Sequence, residues 1–242
     1  MKKIIPIIFI EAILLLSGCN NTLPDEDGYV PISDILTWIN ELDINKIEKV
    51  AKKIRASGGD VRPGLLNTNN YSNDKNDILS VCKMFNTRVK KQFISYCYGC
   101  SNNFSYSYFV DGVEYEIGVN QYSQGYFMNV YDEKAKQNFD YVYDQSIQFP
   151  YIVNYETTFS IENYGAEFEI YEIDNKNVYK KISYLSEIEF IEATDEEMPN
   201  NEAVYFLDGL SKDLLIYSPK IIKYGDTFYK IVSNKDFSDL FN

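Results

Sequence analysis

Histidine is absent from the chain of 242 residues. Its absence excludes Ser-His-Asp and Cys-His catalysis, general acid–base chemistry by histidine, and the HExxH metalloenzymes. Structural zinc needs four ligands, mainly cysteine and histidine, and one of the four cysteines lies in an N-terminal segment with another predicted role. The remaining chemistry uses carboxylates, Ser-Lys pairs or hard cations. We therefore predict no metal site and no cofactor, and we favour a non-enzymatic binding or protein-interaction module, with a carboxylate-based or CxxC redox enzyme as an alternative.

Basic residues are few, with 23 Lys and Arg against 36 Asp and Glu and a net charge of −13. A nucleic-acid-binding surface should be basic, so we predict no nucleic-acid partner. Residues 32–92 carry 11 basic and 7 acidic side chains, whereas residues 93–242 carry 10 and 25. This imbalance has two interpretations. The acidic sheet is either simply solvated, or it binds a basic protein or peptide, as an inhibitor or immunity-type protein would.

Long apolar segments are also missing. The cationic start Met1-Lys2-Lys3 precedes 13 mainly apolar residues, 4–16, which are fewer than the roughly 20 that a membrane-spanning helix needs. This layout is typical of an export signal. The following Leu16-Ser17-Gly18-Cys19 resembles the lipobox of bacterial lipoproteins.

The lipobox resemblance implies removal of residues 1–18 and a diacylglycerol on the Cys19 sulfur, since two acyl chains hold a protein stably at a membrane. We therefore predict a lipid-anchored protein of the bacterial cell envelope that faces away from the cytoplasm. Residues 19–31 are polar, with two prolines and three acidic residues. That composition predicts a flexible tether.

The other three cysteines are Cys82, Cys97 and Cys100. A β-turn brings its first and fourth Cα atoms within about 7 Å, close enough for a Cys97–Cys100 disulfide. A bridge from Cys82 to either of them is the alternative, and free thiols or a redox-active CxxC pair are further options. If Cys19 carries lipid, one of the three remaining thiols has to be free.

The fold prediction is α+β: about three N-terminal helices packed on an antiparallel sheet, with a tyrosine-rich β-structure in the C-terminal half. Apolar residues at helical spacing predict a helix after Ser33, a second after Asp43 and a third after Asn73 or Asp74. Residues 60–72 read as a loop. We predict an α+β domain at 32–149 and a mainly antiparallel region at 150–242, with one continuous sheet as the alternative.

From about Phe93 the apolar period changes to two. Asp111-Gly112 supplies the residues of a tight hairpin turn, and strands follow near 126–131, 155–162, 166–173 and 178–190. Further hairpins are expected at Asp208-Gly209 and Gly225-Asp226, and a short closing helix at 236–240.

Two carboxylate pairs are the remaining catalytic candidates, Glu114 with Glu116 and Glu167 with Glu169. Each pair places two carboxylates on one strand face, which is the minimum for glycosidase-like chemistry. The simpler interpretation is the solvated side of a sheet. The acidic run 187–202 could in principle bind calcium, although an exposed loop explains it equally well.

The lipobox gives the first testable prediction. When the chain is expressed in a bacterium fed an alkyne fatty acid, the label should enter the wild type and Cys97→Ser, but not Cys19→Ala, because only Cys19 offers the sulfur for acylation. Gel fluorescence of the labelled protein measures this. Equal labelling of Cys19→Ala and the wild type would contradict the lipid anchor.

Overall fold

The computed structural model describes residues 28–55, 64–92, 102–122, 125–163, 165–174 and 177–241. The predicted signal, the predicted lipidation site Cys19, most of the predicted tether and the Cys97/Cys100 pair all lie outside these residues. Within the described ranges, sixteen strands form one sheet, and every strand pairs antiparallel to its neighbours.

The strands fall into two sets of eight along the chain, called here the first half and the second half. The first half comprises β1 (Val30–Pro31), β2 (Lys49–Arg55), β3 (Leu66–Ser72), β4 (Arg88–Lys91), β5 (Asn102–Val110), β6 (Val113–Tyr122), β7 (Gly125–Asp132) and β8 (Gln137–Tyr143). The second half comprises β9 (Glu156–Ile161), β10 (Phe168–Glu172), β11 (Val178–Ile182), β12 (Glu189–Glu192), β13 (Tyr205–Leu207), β14 (Leu214–Ser218), β15 (Ile221–Tyr224) and β16 (Thr227–Ile231).

The sheet keeps these halves together, in the order β1-β4-β8-β7-β6-β5-β2-β3-β9-β12-β16-β15-β14-β13-β10-β11. The predicted hairpin at Asp111-Gly112 is present, and both residues have positive φ angles, 50° and 77°. Its strands β5 and β6 pair over nine residue pairs. Gly225, with φ of 60°, turns β15 into β16 as predicted.

The predicted α+β class with three N-terminal helices is wrong. The α-helices of the described residues are α1 (Trp38–Glu41) and α2 (Lys75–Val81), with short 3-10 turns at Ile32–Asp34, Ile44–Lys46, Cys82–Asn86, Leu185–Glu187, Asp195–Glu197 and Ser238–Leu240. The first predicted helix shrinks to a turn and α1, and the closing helix is a single 3-10 turn. Only the third survives at useful length, and Asp74 caps it by accepting from the backbone N–H groups of Asn76 and Asp77.

The second predicted helix is in fact a turn followed by β2. Val50 and Ala51 are both fully buried although they are adjacent, so they point to opposite faces of a strand. β2 lies between β3 and β5 in the middle of the sheet, and Val50 packs into the first core. Together with Ile47 and Ile54, these two buried residues are spaced three and four apart, which is also the spacing of one face of a helix.

The predicted loop at 60–72 contains β3, a central strand. The sequence did not indicate this strand because asparagine is usually exposed. Here Asn67 and Asn69 are only 3% and 5% exposed. Asn67 donates to Glu162 at 3.0 Å, and Asn69 donates to Glu189 at 3.2 Å. Hydrogen bonds of this kind allow polar groups to be buried, but their partners lie about a hundred residues further along the chain.

Each half has its own hydrophobic core. The buried residues of the first core include Ile32, Val50, Val81, Met84, Tyr106, Tyr108, Ile117 and Tyr143. Those of the second include Ile161, Ile170, Leu185, Ile188, Phe190, Leu214, Ile216, Ile222 and Phe237. The predicted division at residues 149 and 150 stays a prediction, since the sheet itself is continuous.

One row of paired residues connects the two cores. Phe104 pairs with Ile54, Ile54 with Thr68, Thr68 with Phe159, and Phe159 with Phe190. Directly opposite residues of antiparallel strands share a face. Because Phe104 packs on the first core and Phe190 belongs to the second, both cores lie on one side of the sheet, called here the core face.

The sheet of the second half curves around its core, and hydrogen bonds to Gly64 connect the start of β3 to the far side of this curved sheet. Gly64 precedes β3, yet its carbonyl oxygen accepts from Ser211 Oγ at 3.0 Å and from the Tyr224 hydroxyl. Its N–H donates to the Glu162 carbonyl at 2.8 Å. Ser211 lies between β13 and β14, several strands away in the sheet order. Gly64 has a φ of 98°, and an added Cβ would lie 2.8 Å from the Ser211 backbone nitrogen.

Replacing Gly64 with alanine should lower the free energy of unfolding by about 3 kcal/mol, because backbone strain at positive φ and a steric clash act together. Urea denaturation of the purified protein measures the loss. Gly112→Ala is the matched control, since its φ is 77° and an added Cβ meets nothing within 4 Å. Equal losses for both variants would show that the Gly64 contact does not matter.

Candidate functional site

A cleft of about 780 Å³ lies on the core face of the first half, where β2 ends and β5 begins. Its volume falls in the range of small-molecule sites. The lining residues are Lys52, Ile54, Arg55, Asn103, Phe104, Gln121, Tyr126, Ile147, Gln148, Phe149 and Tyr151. Strands β2, β5, β6 and β7 supply one wall, and the connection between β8 and β9 supplies the other.

Aromatic rings form the inner part of this cleft, with Phe149 at the centre. The Phe149 ring centroid is 4.7 Å from that of Tyr126, 5.2 Å from that of Phe104 and 5.8 Å from that of Tyr143, all in edge-to-face geometry. Such pairs add stability beyond the area they bury. The rings therefore hold one another and present a preformed apolar surface.

The Lys52 ammonium lies among these rings. Its Nζ is 4.6 Å from the ring centroid of Phe104, 5.6 Å from that of Tyr106 and 5.7 Å from that of Tyr151. It forms no ion pair within the described part of the chain, and no carboxylate is among the lining residues. Burial lowers the pKa of the Lys52 ammonium below its ordinary value.

The outer wall is fixed by backbone hydrogen bonds. The Tyr106 hydroxyl donates to the Pro150 carbonyl at 2.7 Å. The Asp77 carboxylate accepts from the N–H groups of Val153 and Asn154, both at 2.9 Å, and from Ser72 Oγ at 2.8 Å. Asp77 is only 3% exposed. Burial opposes its ionisation, but the three hydrogen bonds outweigh burial and hold the pKa of this carboxyl below its usual value.

The wall segment presents apolar side chains to solvent. Tyr151 is 79% exposed and Val153 74% exposed, whereas Ile152 between them is buried in the first core. Ile152 thus attaches this segment to the core, while Tyr151 and Val153 point to solvent. Tyr151 is positioned to contact both the cleft and a molecule entering it.

Of the carboxylates singled out from sequence, Glu114 and Glu116 share β6, whereas Glu167 and Glu169 line a small cleft of about 310 Å³ with Asp208. Glu114 accepts from Lys53 Nζ at 2.6 Å, and Glu116 is exposed on the same strand. Burial opposes ionisation of Glu114, but the hydrogen bond and the charge of Lys53 help to hold its pKa below the usual value. This carboxylate is engaged in holding the sheet.

The second pair behaves in the same way. Glu169 accepts from the Tyr171 hydroxyl at 2.6 Å and forms an ion pair with Lys181 at 2.9 Å. Glu167 lies just before β10 rather than within it. These contacts on the edge of the second half agree with the solvated interpretation of the pattern.

The acidic run 187–202 is partly used within the fold. Glu189 accepts from Tyr71 and Asn69, and Glu197 pairs with Lys230 at 2.6 Å. Exposed carboxylates remain at Glu187, Asp195 and Glu196 among others. The described residues contain no group of three or more side chains suited to hold a metal ion. A basic partner for this surface stays a prediction.

Cys82 is a free and buried thiol, 6% exposed on the first core. Burial raises its pKa to about 12, so the reactive thiolate is scarce at neutral pH. Because Cys97 and Cys100 lie outside the described residues, their pairing stays a prediction, as does the lipid on Cys19.

The cleft itself escaped sequence reasoning. Lys52 was expected on a helix, and Phe149 and Tyr151 were expected at a domain boundary. The run from Phe149 to Tyr155, in which aromatic and apolar residues crowd a predicted linker, is the signal that could have identified the wall.

No protein-family model, curated protein or solved structure matches the chain. The site is therefore interpreted from its own residues. None of the helices in the described ranges combines the length and apolar character needed to cross a membrane.

Asp77→Asn should lower the free energy of unfolding by about 2 kcal/mol at pH 7, because hydrogen bonds to a charged group contribute on that scale. The folded pKa of Asp77 lies below its unfolded value, so its stabilisation is complete above about pH 4 and is lost as the pH falls further. Urea denaturation of both proteins at a series of pH values tests this. A gap between wild type and variant that persists unchanged at pH 2 would contradict the assignment.

Proposed function

We propose that this chain is a lipid-anchored protein of the bacterial envelope that binds a small ring-bearing ligand and catalyses no reaction. The observation that supports the binding role is the aromatic cleft, because a preformed apolar concavity with a few polar groups is the usual form of a ligand site. The Leu16-Ser17-Gly18-Cys19 motif supports the anchor.

The lining chemistry favours binding over catalysis. The cleft offers aromatic rings, amides and two cations, and among the described residues that line it there is no acid, cysteine, serine or threonine. Nucleophilic catalysis needs an activated nucleophile beside a base, and carboxylate catalysis needs two carboxyls across a bond. The carboxylates Glu114 and Glu169 are instead paired with Lys53 and Lys181.

The binding role predicts that 2-naphthamide, a neutral two-ring probe, enters the cleft. Tyr151→Ala should weaken its binding about fivefold, since one aromatic contact is worth roughly 1 kcal/mol. Titration calorimetry measures the dissociation constant. Tyr151 is exposed, so its removal leaves the core intact.

Tyr155→Ala is the matched control, because Tyr155 is 50% exposed on the same segment but does not line the cleft. It should bind the probe as the wild type does. Absence of probe binding to the wild type, or an equal loss in both variants, would remove the cleft as the binding site.

A further inference from the structure

The charge inside the cleft runs against the charge of the whole chain. The protein has a net charge of −13, yet the ionised groups lining the cleft are the cations Lys52 and Arg55. Arg55 is engaged with Glu162 at 3.4 Å. Of these two cations, Lys52 is the one that forms no ion pair with a carboxylate of the described residues.

Other lysines of this chain form ion pairs with nearby carboxylates. Lys53, the next residue along β2, pairs with Glu114 at 2.6 Å, and Lys230 pairs with Glu197 at 2.6 Å. Lys52 is half-buried on the core face and lies over rings alone. A partly desolvated ammonium binds an incoming anion more strongly than an exposed one does, because less water separates the charges.

The rest of the lining selects the body of that anion. Phe104, Tyr126 and Phe149 present ring edges and faces, which suit a planar aromatic group. The amides of Asn103, Gln121 and Gln148 also line the cleft.

We propose that the cleft binds a small aromatic acid, with its ring among Phe104, Tyr126 and Phe149 and its carboxylate paired with the Lys52 ammonium. This assignment rests on the proposed binding function and adds the charge and class of the ligand. The exposed Tyr151 then contacts the ring from the solvent side.

The test compares 2-naphthoate with 2-naphthamide, which share the ring system and differ in charge. Calorimetry on the wild type should show the acid binding about tenfold more tightly than the amide, the usual scale for a charged hydrogen bond. Lys52→Met, which keeps side-chain length, should remove this preference, so that the acid and the amide bind with about the same affinity. Lys52→Arg should restore much of it.

Lys49→Met is the matched control. Lys49 also lies on β2 and over rings, those of Tyr71 and Phe109 at 4.3 and 4.5 Å, but it does not line this cleft. Its loss should leave the tenfold preference unchanged. If the amide binds and the acid binds no better, the ligand class is wrong while the binding function stands.

Three other outcomes also overturn the inference. Preference for acid that survives in Lys52→Met would place the anion elsewhere. Octanoate binding more tightly than 2-naphthoate would replace the aromatic acid with a fatty acid. Failure of both naphthalene probes to bind the wild type would remove the proposed function as well.

Discussion

The pairing of β3 with β9 is the constraint on which the rest of the structure depends. Six residues of each strand are in register, from Leu66 opposite Ile161 to Tyr71 opposite Glu156. Without this ladder the sheet would separate into two halves, each with an open edge, and unpaired edges favour aggregation. It also brings Gly64 to Ser211, and it fixes where the β8–β9 connection must end.

That ladder is unusual in its chemistry, because it joins two polar strands in the middle of a large sheet. Asn67, Asn69 and Tyr71 point to the face opposite the cores, where Glu162 and Glu189 accept their hydrogen bonds. Sheets of more than about ten strands normally curl or split. Here the polar junction separates two apolar cores, so each half curls around its own core while the backbone pairing continues through.

Local signals predicted the local structure well. Asp111-Gly112, Gly225-Asp226 and the two-residue period identified hairpins correctly, because turn and strands are encoded within a few residues. The predictions for β2 and β3 were wrong because the surroundings of both strands come from residues far away in the sequence. Val50 packs into a core built largely from later strands, and Asn67 and Asn69 are buried with hydrogen bonds to distant glutamates.

The candidate site was less predictable than the fold for the same reason. The absence of histidine and the lack of a catalytic motif indicated a binding protein, but nothing in the sequence relates Lys52 to Phe149, nearly a hundred residues apart. Glu114 and Glu116 share a face of β6 as alternation requires, whereas Glu167 lies just before β10. A shared strand face, however, is also what ion pairs across a sheet use, and sequence alone does not distinguish the two.

Asp77 has a thermodynamic consequence for the cleft. Asp77 lies in the first turn of helix α2, and its carboxylate holds the backbone beside Tyr151, so a proton on Asp77 weakens this wall of the cleft. A ligand that contacts Tyr151 favours the arrangement in which Asp77 is ionised. Since linkage is reciprocal, such a ligand and a proton on Asp77 must oppose each other: filling the cleft makes the fold more resistant to acid, and acid releases the ligand.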